Sequence, residues 1–315
     1  MTRVDDMPGA PAPLVSILIP AFNHERFVQR CLDSVLEEPY PSKELVIIDD
    51  GSTDRTGERI AAWLARHEAQ IPVRFVRRAN QGVAATLNEL ATLARGEFLR
   101  LGASDDYFLP GGLEAQVRYL QAHPARQAVV GDSIVVDADD RHLHDSGMCG
   151  LHRADKRLYR TDAGIRRAVI GQWAVGGAVA LLRRRALAQV GGWTEGLRID
   201  DWDFFLRLAA RDALGFIDVR VCAYRVHASN LSQTRHLATR LTHLEESRRV
   251  ALQHMSLFDG AERTLLRAQA HYIGAKLAFL RRRPGALALQ MAAYLVLAMA
   301  ARASLPGTHA TAEHA

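Results

Sequence analysis

ELVIIDDGSTD, residues 44–54, sets four consecutive apolar residues, Leu45–Ile48, ahead of paired carboxylates and a glycine. A short apolar run rich in β-branched residues and closed by turn formers reads as a strand buried on both faces. Upstream, LVSILIP (14–20) has the same character. Between the two, NHERFVQRCLDSVLEE (23–38) spaces Phe27, Cys31 and Val35 as one helix face behind Asn23, a candidate N-cap. Downstream the alternation continues: a helix over 55–66, a strand at VRFVRR (73–78), a helix in GVAATLNELATLAR (82–95), then a strand at GEFLRL (96–101). Strands alternating with helices at this spacing predict an α/β fold: a Rossmann-like, mostly parallel sheet with helices on both faces. Ligands of such sheets sit beyond the carboxyl ends of the strands. Asp49 and Asp50 stand at one such end, and Asp105 and Asp106, in GASDDYFLP (102–110), stand at another.

Adjacent carboxylates repel more strongly as the dielectric falls, so a buried pair needs a counter-charge and a solvated pair does not. A hard divalent cation is one candidate, because Mg²⁺ or Mn²⁺ takes one or two carboxylates and completes its shell with water and phosphate oxygens. A cation bridging a diphosphate accounts for the acids, the parallel sheet and the lack of a G-x-G-x-x-G loop.

Past residue 127 the pattern changes. QAVVGDSIVVDADD (127–140) is a long strand, and the polar stretch 141–160 is expected to be a loop or lid. WAVGGAVALLRRRALAQVGGW (173–193) gives a glycine-containing strand, a basic turn and a short helix. DDWDFFLRLAAR (200–211) is a helix with Trp202, Phe205, Leu206 and Ala209 on one face, and LGFIDVRVCAYRVH (214–227) is a last strand. Two or three helices are expected over 233–303. The domain reading is a flexible leader (1–13), an α/β domain (14–231), a basic C-terminal helical extension (232–305) and a disordered tail (306–315).

The chain has 315 residues, 48% hydrophobic and 24% charged, which excludes a disordered polymer and allows one large domain plus an appendage. Its net charge of +5 is unevenly placed: residues 232–305 carry ten Arg and one Lys against four acids. The partner expected for this basic extension is an inner-membrane surface, met through 281–303, and no nucleic acid. ALALQMAAYLVLAMAA (286–301) is free of charge and follows three arginines. Its 16 residues fall short of the ~20 needed to span a bilayer, so a helix in the membrane interface and a buried packing helix both remain open. Three distant cysteines, Cys31, Cys149 and Cys222, argue against disulfides and a zinc site. The N-terminus lacks the basic start and apolar centre of a secretory signal, so a cytoplasmic protein is expected.

Taken in order, VSILIPAFN, ELVIIDDGSTD, ANQGVAATLN, SDDYFLP and GGW…DDWDFFLRL resemble an inverting family 2 glycosyltransferase of the GT-A fold, over about residues 14–230. The resemblance implies that Pro20, Ala21, Phe22, Asn23 and Asp50 cup the nucleotide, with Asn80 and Gly82 beside the donor. For Asp50 the other reading is an N-cap of the next helix. The family often has an arginine where Leu87 stands, and Arg77 or Arg78 could replace it. The family's D-x-D motif aligns Asp105 with its metal-binding carboxylate and puts Ala103 in the first position, leaving Ser104 or Asp106 to share that role. Asp201 aligns with the catalytic base, and a helix N-terminus favours its ionised form. His227 is a candidate metal or diphosphate contact, and Gly176 and Gly177 resemble the turn that approaches the sugars. The implied activity is metal-dependent (Mn²⁺ or Mg²⁺) transfer from a nucleotide-diphospho-sugar, UDP- or dTDP-linked, to a hydroxyl of a glycan or lipid-linked glycan. Two competing functions are a sugar nucleotidyltransferase, which expects a glycine-rich basic loop that PAFNHERF lacks, and a non-catalytic scaffold, suggested by Ala103 and Leu87.

Overall fold

The computed structural model describes residues 11–67, 69–174, 176–198, 200–228, 230 and 236–304. The leader residues 1–10, the expected boundary near Leu231 and the expected tail 306–315 lie outside these.

The first half of the chain follows the predicted alternation: β1 (Val15–Ala21), α1 (Val28–Glu37), β2 (Lys43–Asp50), α2 (Thr56–His67), β3 (Val73–Arg78), α3 (Val83–Leu93) and β4 (Phe98–Leu101). These strands pair in parallel in the order β3-β2-β1-β4. Burial along β1 and β2 is nearly continuous, as strands covered on both faces require. Behind β1, Trp63 of α2 is fully buried and donates its indole N–H to Asp33 of α1 (2.8 Å), so these helices form one layer.

Beyond β4 the sheet becomes mixed. β5 (Tyr107–Phe108), α4 (Gly112–Ala122), β6 (Ala128–Asp137), β7 (His142–His144), α5 (Asp162–Gly171), β8 (Ala180–Arg183), α6 (Ala186–Val190), α7 (Asp200–Ala209) and β9 (Leu214–Val226) follow. The sheet order continues β4-β8-β6-β9-β5, with β8 antiparallel to both neighbours. That reversal decides where the site lies. Because β8 opposes β4, the turn entering β8 sits at the edge where β4 ends; because β5 opposes β9, the end of β9 returns beside Asp105.

Buried Arg100 ties these strands together. Its guanidinium donates to the carbonyls of Leu101, Ala178, Ala180 and Val221 and lies over Phe108, and burial lowers its pKa to about 10. Gly102 then lets the chain turn: a Cβ there would meet Ile19 Cδ1 at 2.4 Å and Phe108 Cζ at 2.8 Å.

The polar stretch 141–160 differs from the expected lid. Buried Asp132 of β6 accepts from Ser146 (2.6 Å) and the Met148 amide and pairs with Lys156 (2.7 Å), while Tyr159 is buried against Phe216. One buried carboxylate thus anchors a segment that has few apolar residues, which is why hydropathy does not reveal it.

Three helices close the chain: α8 (Leu237–Gln253), α9 (Gly260–Leu280) and α10 (Pro284–Ala303). Val250, Phe258, Leu266, Ala270, Ile273 and Leu277 join the same buried cluster as α5 and α7. α7 buries Phe204, stacked on Trp193 (4.7 Å), and Leu208 as well as its predicted face. α10 packs on α9 through Tyr272–Tyr294 and His271–Gln290 (2.9 Å), but Leu289, Leu295, Val296 and Met299 remain 53–69% exposed. The buried-helix reading of 286–301 therefore does not hold. At 20 residues and mean hydropathy 1.6, α10 is long and apolar enough to cross a membrane by length and composition.

Candidate active site

The loop after β1 is fastened to the loop after β2. The Asn23 amide donates to Ser52 Oγ (3.0 Å), Asn23 Oδ1 accepts from the Thr53 amide (2.8 Å), and the His24 amide donates to Thr56 Oγ1 (2.8 Å). Asp54 accepts the Thr56 amide (2.9 Å) and so caps α2, which removes the N-cap alternative for Asp50. The buried Asp50 carboxylate accepts the amides of Gln81 and Gly82 (2.9 Å each) and pairs with Arg78, while Asn80 Nδ2 donates to the Asp50 carbonyl (2.8 Å). Asp50, Asn80 and Gly82 are thus brought together as expected. Arg78 also reaches Thr86 and Glu89 of α3, filling the ground above Leu87, which is core. Phe22, at the rim, is 43% exposed.

After β4, Asp105 and Asp106 part company. Asp105 Oδ2 lies 3.0 Å from His227 Nε2 and 3.7 Å from His24 Nε2, with Asn230 Nδ2 at 3.5 Å. Buried Ser104 hydrogen-bonds His24 Nδ1 (2.8 Å). Asp106 points away and accepts the Arg225 amide (2.8 Å), while the Arg225 side chain donates to the carbonyls of Asp105 (2.8 Å) and Asp137 (3.0 Å) and to Asp140. Electrostatics separates the pair further. Burial pushes Asp106 well above the usual carboxylate range, and the charge of Asp105 adds to that. Burial also works to raise Asp105, but the hydrogen bond with His227 and the nearby imidazoles outweigh it and hold it below the usual value. The two neighbouring carboxyls are thus pushed in opposite directions, as close like charges in a low dielectric are. Burial lowers the pKa of His24, against the pull of Asp105, so its imidazole is favoured neutral.

His24, Asp105 and His227 bring their ligand atoms within 4.8 Å of one another. Two imidazole nitrogens and one ionised carboxylate are a donor set that fits a divalent transition ion. Phe27 packs on His227 with ring centroids 4.7 Å apart, and Cys31 lies beneath, its thiol 3.4 Å from the Ala103 carbonyl.

Asp201 occupies the first turn of α7, half-buried, accepting the Trp202 amide (2.7 Å) and the Trp173 indole N–H. The helix terminus was expected to favour its ionised form, yet its pKa is raised, because loss of solvent outweighs those hydrogen bonds. Trp173 stands just before Gly176 and Gly177 and packs on Phe205 (4.6 Å), so that turn and Asp201 share one neighbourhood. A Cβ on Gly176 would meet nothing within 4 Å, so no protein neighbour demands glycine there.

Sequence reasoning missed His24, Phe27, Trp173, Arg225 and Asn230. His24 follows Asn23, the last residue of the first motif, and Arg225 is the arginine of the last strand's YRVH. Those positions were signals, but nothing in their spacing joins 24 to 227.

The fold and this edge define an α/β protein that gathers two imidazoles and a carboxylate, a candidate cation cluster, beyond the ends of its strands. Residues 16–191, more than half of the chain, match the family described as Glycosyl transferase family 2. The chain belongs to that family and is a glycosyltransferase. It is 38% identical over 95 residues to an uncharacterized glycosyltransferase, EpsJ, of Bacillus subtilis (strain 168), covering 30% of this chain and 27% of that one. It is 37% identical over 102 residues to a chondroitin synthase of Escherichia coli, covering 32% and 14%. With an uncharacterized protein of Mycobacterium tuberculosis, MT1568, it shares 28% identity over 255 residues, 75% of this chain and 74% of that one. The matches to EpsJ and the chondroitin synthase thus take in under a third of either relative. Among solved structures, S. aureus TarS 1-349 in complex with UDP-GlcNAc superposes with TM-score 0.64 at 15% identity, over 92% of both chains. The mannosyltransferase PcManGT of Pyrobaculum calidifontis, in complex with GDP-Man and Mn²⁺, gives 0.59 at 23%, over 92% of this chain and 78% of that one. These likenesses identify the fold as GT-A.

Proposed function

We propose that this enzyme is a metal-dependent inverting transferase that moves a sugar from a UDP- or dTDP-sugar to a hydroxyl of a glycan or lipid-linked glycan, in polysaccharide or other surface-glycan assembly. The observation that carries the reading is Asp105 gathered with two imidazoles at the sheet edge where β4 ends and the turn entering β8 lies. Nucleotide-sugars in the TarS and PcManGT complexes and the chondroitin synthase relative support the donor and acceptor classes. Asp105 and His227 would hold Mn²⁺ or Mg²⁺, which when bound supplies positive charge for the departing diphosphate.

The remaining work falls to the chain. Exposed Phe22, beside half-buried Pro20, offers an apolar face for the base, with Ala21 buried beneath it and Asn23 fastening the loop, and the Asp50–Asn80–Gly82 corner borders the ribose. Ser104 and Asp106 hold the loop that presents Asp105. Open space before Gly176 and Gly177 lets the sugar approach the backbone. The acceptor oxygen bonds to the anomeric carbon from the face opposite the diphosphate as the old C–O bond breaks, and Asp201 takes the hydroxyl proton. A raised pKa suits a base, since proton transfer is most efficient when the base is tuned toward the working pH.

The exposed apolar face of α10, beside Arg281, Arg282 and Arg283 and a concavity of about 150 Å³ lined by Arg248, Arg281 and Arg283, supports peripheral binding at the inner face of the cytoplasmic membrane.

Asp201→Asn tests the mechanism. Transfer, followed as nucleotide diphosphate release across a donor panel, should fall by about 10²–10⁴-fold, with nucleotide affinity by calorimetry near that of the parent. An equal loss of nucleotide affinity would show that Asp201 is not the base.

A further inference from the structure

We infer that His24 is a third protein ligand of the cation site, so that this chain loads its metal before any nucleotide arrives and prefers Mn²⁺ or Co²⁺ to Mg²⁺. The inference rests on the proposed metal site and concerns how this chain completes it.

Three observations carry it. The ligand atoms of His24, Asp105 and His227 lie within 4.8 Å of one another, with Asp105 Oδ2 at 3.7 and 3.0 Å from the two Nε2 atoms. Ligands about 2.0–2.2 Å from one shared ion stand about 3–4 Å apart, so small side-chain adjustments close the set. The second observation is orientation. The hydrogen bond between His24 Nδ1 and Ser104 Oγ (2.8 Å) turns Nε2 toward Asp105, and the His24 amide is pinned to Thr56. A ring nitrogen fixed by an outer hydrogen bond is how ligating histidines are held in the right tautomer. The third is chemical. Asp105 is the cluster's one carboxylate, Ala103 offers none, and Asp106 is turned to the Arg225 amide. Mg²⁺ demands oxygens and would find a single one here, needing the diphosphate to hold it. Two imidazoles with a carboxylate suit borderline transition ions without that help. His24 thus takes over, with nitrogen in place of oxygen, part of what a carboxylate at position 103 would have done.

The test uses the full chain without nucleotide, titrated with MnCl₂ and read by calorimetry and by loss of the free Mn²⁺ electron-spin signal. The parent should bind one Mn²⁺, and a tenfold excess of Mg²⁺ should displace little of it. His24→Ala should weaken nucleotide-free Mn²⁺ binding by about tenfold or more, and Ser104→Ala, which leaves all three ligands in place, by about tenfold. Should His24→Ala fail to fold, judged by its melting curve, the Ser104→Ala titration decides. Equal Mn²⁺ affinity in parent and variants, or Mn²⁺ binding that appears only with UDP present, would overturn the role of His24 and leave the Asp105 site standing. Absence of Mn²⁺ binding even with UDP would overturn the metal site itself.

Discussion

Arg225→Met removes the cation that holds the acidic loop in place. The guanidinium is 1% exposed and donates to two carbonyls, Asp105 at 2.8 Å and Asp137 at 3.0 Å. Hydrogen bonds from a charged donor are worth about 1.5–3 kcal/mol each, which gives about 3–6 kcal/mol for the two. The pair with Asp140, itself 51% exposed, adds at most about 1 kcal/mol. Stacking over Phe27 (5.0 Å) and Tyr107 (5.6 Å) adds about 0.5–2 kcal/mol per ring. Against this, methionine keeps the stem's contacts and needs no desolvation of a charge, a relief of about 1–4 kcal/mol. The net expectation is a loss of about 3–7 kcal/mol, chiefly because the two carbonyls are left without donors. Urea denaturation at pH 7 measures it as a lower midpoint at unchanged slope. Loosening of the Asp105 carbonyl should also weaken Mn²⁺ binding. A loss below about 1 kcal/mol would refute the claim that Arg225 is the structural counter-charge of this loop.

Two further outcomes follow from other parts of the molecule. Asp201 has a raised pKa when folded, so the folded state keeps a proton that the unfolded chain releases; the resulting stabilisation is full below the ordinary carboxylate value and is lost as pH climbs through the raised one. Asp201→Asn should therefore be at least as stable as the parent at pH 7 and should flatten the stability–pH curve over that window, whereas a destabilised variant would mean the ionised form is the favoured one. On α10, Leu295→Ser with Val296→Ser alters residues 53% and 61% exposed, so the melting temperature should hold while co-sedimentation with anionic vesicles drops; unchanged sedimentation would sink the membrane-surface reading.

The parts of the fold that were legible are those in which one element's own pattern suffices. β1 and β2 declare themselves because strands covered on both faces carry nearly continuous apolar runs, and the acids that follow β2 and β4 mark the edge where ligands meet the sheet. The stretch 141–160 misled because its anchor, Asp132, lies in another element and works through hydrogen bonds, which leave no trace in hydropathy. α7 shows its predicted face buried, while the burial of Phe204 under Trp193 depends on a loop that helical spacing does not report.

The site divides along the same line. By itself the sequence determined the α/β architecture and the two acidic strand ends, since periodicity and order along the chain carry that information, while Asp201 and His227 were singled out by the family resemblance. The tertiary structure alone decided that the Asp105 pKa is lowered while that of Asp106 is raised, that Arg225 ties their loop to the end of β6 and to Asp140, and that His24 joins His227 across 203 residues of chain. Charge state and ligand geometry depend on distance and dielectric, and both are set by which strands the fold places side by side.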